Sequence, residues 1–141
     1  MSLTDAFETH TLEYLLTTET LTRPTVWYIG LFTSDPTDTG TAGTEVATGT
    51  GYARTAVTFT VTGDTASNSA AVEFPAADGG NWGTVSHIGV MDAETGGNMI
   101  IHSALDVAKA INEAMCSAFR QATWTSQLAN GAAFNIWFRR L

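Results

Sequence analysis

The chain has 141 residues, 44% of them apolar, which suits one domain over residues 1–141 with a single hydrophobic core. Its formal charge of -8 argues against a surface that binds nucleic acid, because that affinity comes largely from Lys and Arg. The single cysteine, Cys116, excludes an internal disulfide, and three scattered histidines lack the spacing of a zinc site.

The sequence has no feature that predicts insertion into a membrane. No apolar run reaches the roughly 18 residues that a transmembrane helix needs. The first residues also lack the basic and apolar regions of a signal peptide. We therefore expect no membrane span and synthesis in the cytoplasm.

The first predicted element is a helix over residues 2–17. Residues 2–5 have the pattern of a capping box, in which a Ser hydroxyl and an acid satisfy free N–H groups at a helix start. One face of this helix would carry Leu3, Phe7, Tyr14 and Leu15. The same apolar stripe is widened by Leu12 and Leu16. The pattern predicts an amphipathic helix that needs a partner surface, with Leu3, Phe7 and Tyr14 as candidate contact residues.

The helix should end before Arg23, because Pro24 disfavours a helical conformation at that residue. Residues 26–33 (VWYIGLFT) are almost wholly apolar and predict a central strand covered on both faces. Residues 37–51 are rich in Thr and Gly and predict a long exposed loop that is mobile or functional.

The remaining predicted elements are short strands separated by turns. Residues 52–62 alternate and predict a half-buried strand. Its apolar face would carry Ala53, Val57, Phe59 and Val61, and its polar face would carry Tyr52, Arg54, Thr58 and Thr60. Further strands are predicted at residues 70–74, 84–91 and 98–105, the last two joined by a hairpin turn at 92–97. The abundance of Thr, 24 residues with 19 of them among the first 62, also favours strands and turns.

These elements predict a mainly β fold. We expect an antiparallel β-sandwich or a jelly-roll-like domain with one N-terminal amphipathic α-helix. The β-rich body would span residues 26–113, and residues 114–141 form an atypical C-terminal segment.

Motifs that could carry catalysis are weak. Asp38-Thr39-Gly40 is the tripeptide of aspartic proteases, but those enzymes hold the Asp after a hydrophobic strand and beside a second carboxylate. Here the tripeptide lies in a Thr-rich loop, where an Asx turn is the ordinary interpretation. The serines at positions 67, 69 and 86 lack the sequence context of a nucleophile, and the paired glycines suit turns. We predict no catalytic residue and no enzymatic activity.

Two groups of residues have side chains that bind cations. Asp35, Asp38 and Glu45 offer carboxylate oxygens for an ion such as calcium, but they lack the spacing of a calcium-binding loop. His87 and His102 lie on the two predicted hairpin strands and could come close across the sheet, but no third ligand is evident. We expect no metal and no cofactor, and we interpret the histidines as packing or subunit-contact residues.

Indole rings are further candidates for contact with a ligand or partner. Trp27 lies within the apolar strand and is expected in the core. Trp82 lies in a Gly-rich loop at residues 75–83, so we predict that it is exposed. There it would stack on a sugar or anchor a protein interface, which makes it the fourth candidate contact residue.

Several segments resemble a known family through their order and spacing. They are LTD at residues 3–5, TRPT at 22–25 leading into VWYIGLFTSDPT, GYAR at 51–54, WGTVSHIGV at 82–90 and DAETGGNM at 92–99. Together they resemble the phage tail fibre proteins, a family of small proteins of tailed bacteriophages. The likeness covers about residues 1–113.

The resemblance implies a structural protein of the virion, of the tail-fibre or fibre-adaptor type, synthesised in the host cytoplasm. We expect it to form a trimer or another cyclic homo-oligomer and to dock onto other virion proteins. Two alternatives are a capsid decoration (cement) protein and a receptor- or glycan-binding tip. In the tip, residues 37–51 and Trp82 would contact a host surface receptor.

Residues 114–141 differ in composition from the rest of the chain. All 14 acidic residues lie at or before Glu113, where the resemblance also stops. The charged residues after it are Arg120, Arg139 and Arg140. One hypothesis is a frameshift, because permitted codon choices in a shifted frame give GDVFRIPAGDLDITVG and then a stop. A genuine extension with one more strand at residues 133–138 is the alternative, and sequencing the gene separates the two.

Overall fold

The computed structural model describes residues 2–113, 116–123 and 135–138 of the chain. The elements are β1 (Ser2–Leu3), α1 (Asp5–Leu16), β2 (Trp27–Phe32), β3 (Thr55–Val57), β4 (Phe59–Thr62), β5 (Thr65–Asn68), β6 (Val72–Ala76), β7 (Gly83–Met91), β8 (Met99–Ile111), β9 (Cys116–Thr123) and β10 (Asn135–Phe138).

A five-stranded antiparallel sheet with the order β1-β8-β7-β2-β3 forms the centre of the fold. β2 lies between two neighbours in this sheet, as its continuous apolar run predicts. Ile29 and Leu31 point into the main core, whereas Phe32 packs against Met91 and Met99 in a second cluster. Both faces of β2 are therefore covered, and the predicted central strand is confirmed.

The main core lies between the five-stranded sheet and β6. Leu31 and Val85 enter it from the sheet, and Val72 and Phe74 enter it from β6. β6 belongs to a second antiparallel sheet with the order β10-β9-β6. These packed antiparallel layers, with α1 at the N-terminal end, confirm the predicted mainly β, sandwich-type fold class.

A β-bulge explains the imperfect alternation of β7. Val85 and Ile88 are both buried although they are three positions apart, a spacing that a regular strand would place on opposite faces. The register with β8 shifts between Val85 and His87, because two steps along β7 face five steps along β8, from Lys109 to Ala104. The pairing is irregular at the point where the buried face of β7 changes, and Val85 and Ile88 enter the same core.

The single strand predicted at residues 52–62 is wrong. The chain forms β3 in the central sheet, breaks at Thr58, and then forms β4, which pairs with β5 in a separate two-stranded hairpin. Tyr52, predicted on the polar face, is buried, and Val61, predicted on the apolar face, is 69% exposed. The alternation continues through the break, so it cannot indicate that the chain leaves the sheet.

The predicted capping box at the start of the helix is not formed. Ser2 and Leu3 belong to β1 and pair with β8, opposite His102 and Ile101. Thr4 is the N-cap residue, but its hydroxyl does not cap the helix. Pairing with β8 takes precedence over the local signal, and the helix therefore starts at Asp5.

The loop over residues 37–51 is more ordered than the sequence predicts. Glu45 forms a β-bridge with Phe32, and the amide of Val46 donates to the carbonyl of Leu31 at 2.9 Å. Val46 is also a member of the main core. The middle of this segment is thus attached to β2 of the central sheet, and the predicted exposed loop is wrong at these positions.

The other predicted strands are confirmed, with altered bounds. The strands expected at 70–74, 84–91 and 98–105 correspond to β6, β7 and β8, and β8 continues to Ile111. β10 lies within the strand predicted at 133–138. The remainder of the predicted atypical segment, apart from β9, lies outside the described residues.

Candidate interaction surface

The start of α1 is fixed firmly to the central sheet by Thr4, which is almost fully buried. Its amide donates to the carbonyl of Ile100 at 3.0 Å, and its hydroxyl donates to the carbonyl of Met99. The next amide, of Asp5, donates to the carbonyl of Asp38 at 2.9 Å. The helix is therefore attached at its N-terminal end to both β8 and the loop that follows β2.

The other end of α1 exposes four large apolar side chains, which we call the helix tip. They are Leu12 (58% exposed), Tyr14 (68%), Leu15 (66%) and Leu16 (77%). No residue of α1 is fully buried, and Phe7 near the attached end is half-buried. At about 100° per residue, Leu12 and Leu16 lie nearly opposite Phe7 and Tyr14. The predicted single stripe is therefore wrong, and apolar side chains surround much of the tip.

The charged side chains on α1 and in the residues directly after it are of one sign. Asp5 and Glu8 lie in the first turn of α1, Glu13 lies within the tip, and Glu19 follows the helix. The first basic side chain, Arg23, lies seven positions after the last helical residue. The surface that α1 presents thus combines exposed Leu and Tyr side chains with carboxylates.

A cluster of two histidines and two aspartates lies beside the attached end of α1, and we call it the His–Asp cluster. His102 Nε2 lies 3.2 Å from Asp38 Oδ1, and His102 Nδ1 lies 3.5 Å from Asp35 Oδ1. His87 Nε2 lies 3.8 Å from the same Asp35 oxygen. The prediction that His87 and His102 approach each other across the sheet is confirmed by this shared contact.

The His–Asp cluster connects the loop after β2 to strands β7 and β8. His102 is buried, whereas both aspartates are mostly exposed. Hydrogen bonds from the Ser2 side chain and from His102 lower the pKa of Asp38. Asp38 thus accepts hydrogen bonds that fix the loop. An aspartic protease would instead require a pair of carboxylates that act together.

The three carboxylates considered as cation ligands do not converge. Asp35 and Asp38 contact histidines, whereas Glu45 is held by an arginine in a different part of the structure. Among the residues that the structure describes, no group of three or more His, Cys, Asp or Glu side chains is arranged to hold a metal ion.

Glu45 belongs to a hydrogen-bonded network that the sequence analysis missed. Arg54 donates from Nε to Glu45 Oε1 at 2.7 Å and from Nη2 to Oε2 at 2.8 Å. Its Nη1 donates to the carbonyls of Ala93 and Gly96 in the hairpin turn. Tyr52 Oη donates to Glu45 at 2.9 Å and accepts from the amide of Leu31. This network joins the loop, β2 and the β7–β8 turn.

The network shifts the ionisation of its members in directions set by their surroundings. Hydrogen bonds to Glu45 raise the pKa of Arg54, although partial burial opposes the effect. Burial raises the pKa of Tyr52, so the hydroxyl stays protonated as a donor to Glu45. Two residues of the GYAR segment, Tyr52 and Arg54, thus have a structural role in this network.

The predicted exposure of Trp82 is wrong. The side chain is 4% exposed and lies in the core against Tyr52 and Phe74, with ring centroids 5.3 and 6.4 Å away. Its indole Nε1 donates to the carbonyl of Thr50 at 2.8 Å. The core supplies a hydrogen-bond partner for the indole, so Trp82 is removed from the candidate contact surface. Trp27, which was expected in the core, is partly buried and packs against it.

The structure thus separates the four predicted contact residues. Tyr14 is part of the exposed helix tip. Leu3 and Phe7 are half-buried near the attached, N-terminal end of α1. Trp82 lies in the core. In the part of the chain that the structure describes, no helix has the length and hydrophobicity to cross a bilayer.

Comparison with known proteins agrees with the resemblance read from the sequence. The model of one family, described as Podophage GP4 fiber I protein gp80, matches residues 2–127. The match continues past Glu113, so the expectation that the likeness ends there is wrong. No curated protein matches the chain.

Proposed function

We propose that this chain, which belongs to the podophage GP4 fiber I protein gp80 family, acts as a structural fibre subunit that assembles with itself and docks onto other virion proteins. The family supports a role in the tail fibre of a virion. The observation that carries the docking part is the helix tip, which has four exposed apolar side chains on a helix fixed at one end.

A non-enzymatic role is part of the proposal. The family is one of phage fibre proteins, and the polar side chains that come together have structural partners. Arg54 and Glu45 fix the loop after β2, and His102 and Asp38 attach the same loop to β8. A fibre subunit needs a rigid surface for assembly, which such cross-connections supply.

Self-assembly into a trimer or another cyclic homo-oligomer is the second part of the proposal. Outside the helix tip, Val61 on β4 and Val107 on β8 are 69% and 75% exposed and are available for contact between copies. A small β domain buries more apolar surface when copies associate. Sedimentation of the purified protein should give a whole-number multiple, threefold for a trimer, of the 14.9 kDa chain mass. A monomer at micromolar concentration would contradict self-assembly.

Localisation in the particle tests the proposed role directly. We expect an antibody against this chain to label the tail end of intact virions in electron microscopy. Particles made without the gene should lack the label and the corresponding fibre density. Labelling spread evenly over the capsid would instead identify a decoration protein, and the absence of label would contradict a virion role.

A further inference from the structure

We propose that the helix tip inserts into an apolar groove lined at its rim by Lys and Arg on a second virion protein, and that it is not the contact between copies of this chain. The inference deepens the docking part of the proposed function and rests on it. The groove would cover the exposed surface formed by Leu12, Tyr14, Leu15 and Leu16.

The length and exposure of α1 indicate that something covers it. Its 12 residues are close to the shortest length at which an isolated helix is even marginally stable in water, and no residue of it is fully buried. Thr4 secures only the N-terminal end of the helix. Contact with a partner would supply the packing that the C-terminal half of α1 does not receive from the described part of its own chain.

The distribution of apolar side chains favours a groove over a flat contact. Leu12 and Leu16 lie on a different side of the helix from Tyr14, so a single flat surface cannot cover them all. A helix of this length extends only about 18 Å, and packing it against one identical helix would bury far less than the roughly 800 Å² per partner of a standard interface. A groove that surrounds the tip buries more of it.

The charges favour a basic partner over a second copy. Asp5, Glu8 and Glu13 lie on α1 and Glu19 follows it, and no Lys or Arg occurs before Arg23. Copies of this helix packed side by side would bring like charges together, which destabilises pairing. A groove with Lys or Arg at its rim would complement the same carboxylates and speed association.

Complementation of a phage that lacks this gene tests the inference. Wild-type protein, the double variant Leu15→Asp/Leu16→Asp, and the matched control Val26→Asp/Thr60→Asp, which changes two exposed side chains outside the helix tip, would be supplied from a plasmid in the host. The amount of protein in purified particles is measured by quantitative mass spectrometry. The substituted side chains are all exposed, so the circular dichroism spectra and melting temperatures of the purified variants should match wild type.

We expect the helix variant to be incorporated about tenfold less than wild type or lower, because each lost leucine contact weakens docking severalfold or more. The control should be incorporated at the wild-type level. Incorporation of the helix variant at that level would overturn the inference and leave the proposed function intact. Absence of wild-type protein from the particles would overturn both.

Two further measurements identify the occupant. Glu8→Lys/Glu13→Lys should lower incorporation if the rim is basic, and unchanged or increased incorporation would contradict a basic rim. Sedimentation of the Leu15→Asp/Leu16→Asp variant should give the same oligomer as wild type. Dissociation of that variant into monomers would mean that a second copy of this chain covers the helix tip, and the inference would then be wrong.

Discussion

At the scale of single residues, two glycines create the space for the second core cluster. Gly30 pairs with Gly89 across β2 and β7. A Cβ atom on Gly89 would lie 2.7 Å from Cε of Met99 and 3.1 Å from Cε2 of Phe32. Neither glycine has a positive φ angle, so the requirement is for space and not for backbone freedom.

The substitution Gly89→Ala should therefore destabilise the fold by overpacking. We expect the free energy of unfolding to fall by about 1–3 kcal/mol, measured by urea denaturation. The cost should be smaller in a Met99→Ala background, because the nearest clashing atoms are then absent. An equal cost in both backgrounds would show that contact with Met99 is not the cause.

Arg54 is the second residue whose loss should affect stability, since its side chain is only 9% exposed and binds Glu45 through two hydrogen bonds. Arg54→Lys keeps the charge but loses the planar donor set that also reaches two carbonyls of the β7–β8 turn. We expect a loss of about 2 kcal/mol or more in the free energy of unfolding. Arg23→Lys, at an exposed position, is the control and should change it by less than about 0.5 kcal/mol. If Arg54→Lys and Arg23→Lys lowered the free energy of unfolding equally, the hydrogen bonds of Arg54 would not be what stabilises the fold.

At the scale of elements, the His–Asp cluster attaches the loop after β2 to β8 and makes this attachment sensitive to acid. The pKa of Asp38 is lower in the folded protein than its ordinary value of 3.8. The ionised carboxylate is thus favoured by folding. Its contribution is present above the unfolded pKa and is lost as pH falls through the folded pKa.

Asp38→Asn should therefore lower stability at neutral pH but not once Asp38 is protonated. Unfolding free energies measured from about pH 6 to about pH 2 should show the difference between wild type and variant shrinking below the ordinary carboxyl pKa of about 4. Asp106→Asn, on an exposed part of β8, is the control. A difference that stays constant with pH would mean that the substitution acts through something other than ionisation.

The β4–β5 hairpin should open independently of the central sheet. It forms a two-stranded sheet of its own, and none of its residues is fully buried. Isolated two-stranded hairpins are marginally stable in water, so we expect local opening. Hydrogen exchange measured by mass spectrometry should be faster at residues 59–68 than in β2 and β7. Equal protection of all three regions would contradict independent opening.

The elements also show how far sequence reasoning reaches. The continuous apolar run predicted β2 and its covered faces, and the turn residues at 92–97 predicted the β7–β8 hairpin. The break at Thr58 was missed, because alternation indicates a strand but does not say which sheet it joins. The two-residue strand β1 was missed for a related reason, since only its pairing with β8 makes it a strand.

The candidate surface was predicted only in part. Tyr14 is exposed as its place on an amphipathic helix suggested, but Trp82 is buried because the core accepts its indole and satisfies its N–H. Glu45 and Arg54 lie nine positions apart, and nothing in their spacing marks them as a pair. Such contacts depend on the path of the chain between them.

At the scale of the whole molecule, net charge and exposed apolar side chains act against each other. The chain carries a formal charge of -8, so copies repel one another, and exposed residues such as Val61 and Val107 favour association. Salt screens the repulsion, because the Debye length falls from about 30 Å at 0.01 M to about 8 Å at 0.15 M. Burial of apolar surface is nearly independent of salt in this range.

Self-association should therefore strengthen as salt is added, whereas docking of the acidic helix tip to a basic groove should weaken. Sedimentation at about 0.01 M and about 0.15 M ionic strength should give a lower dissociation constant for the oligomer at the higher value. More of the protein should be released from particles when they are washed at higher ionic strength, because docking of the helix tip weakens. If self-association instead weakened with salt, complementary charges would have to join the copies, and apolar burial would not be the dominant contact between them.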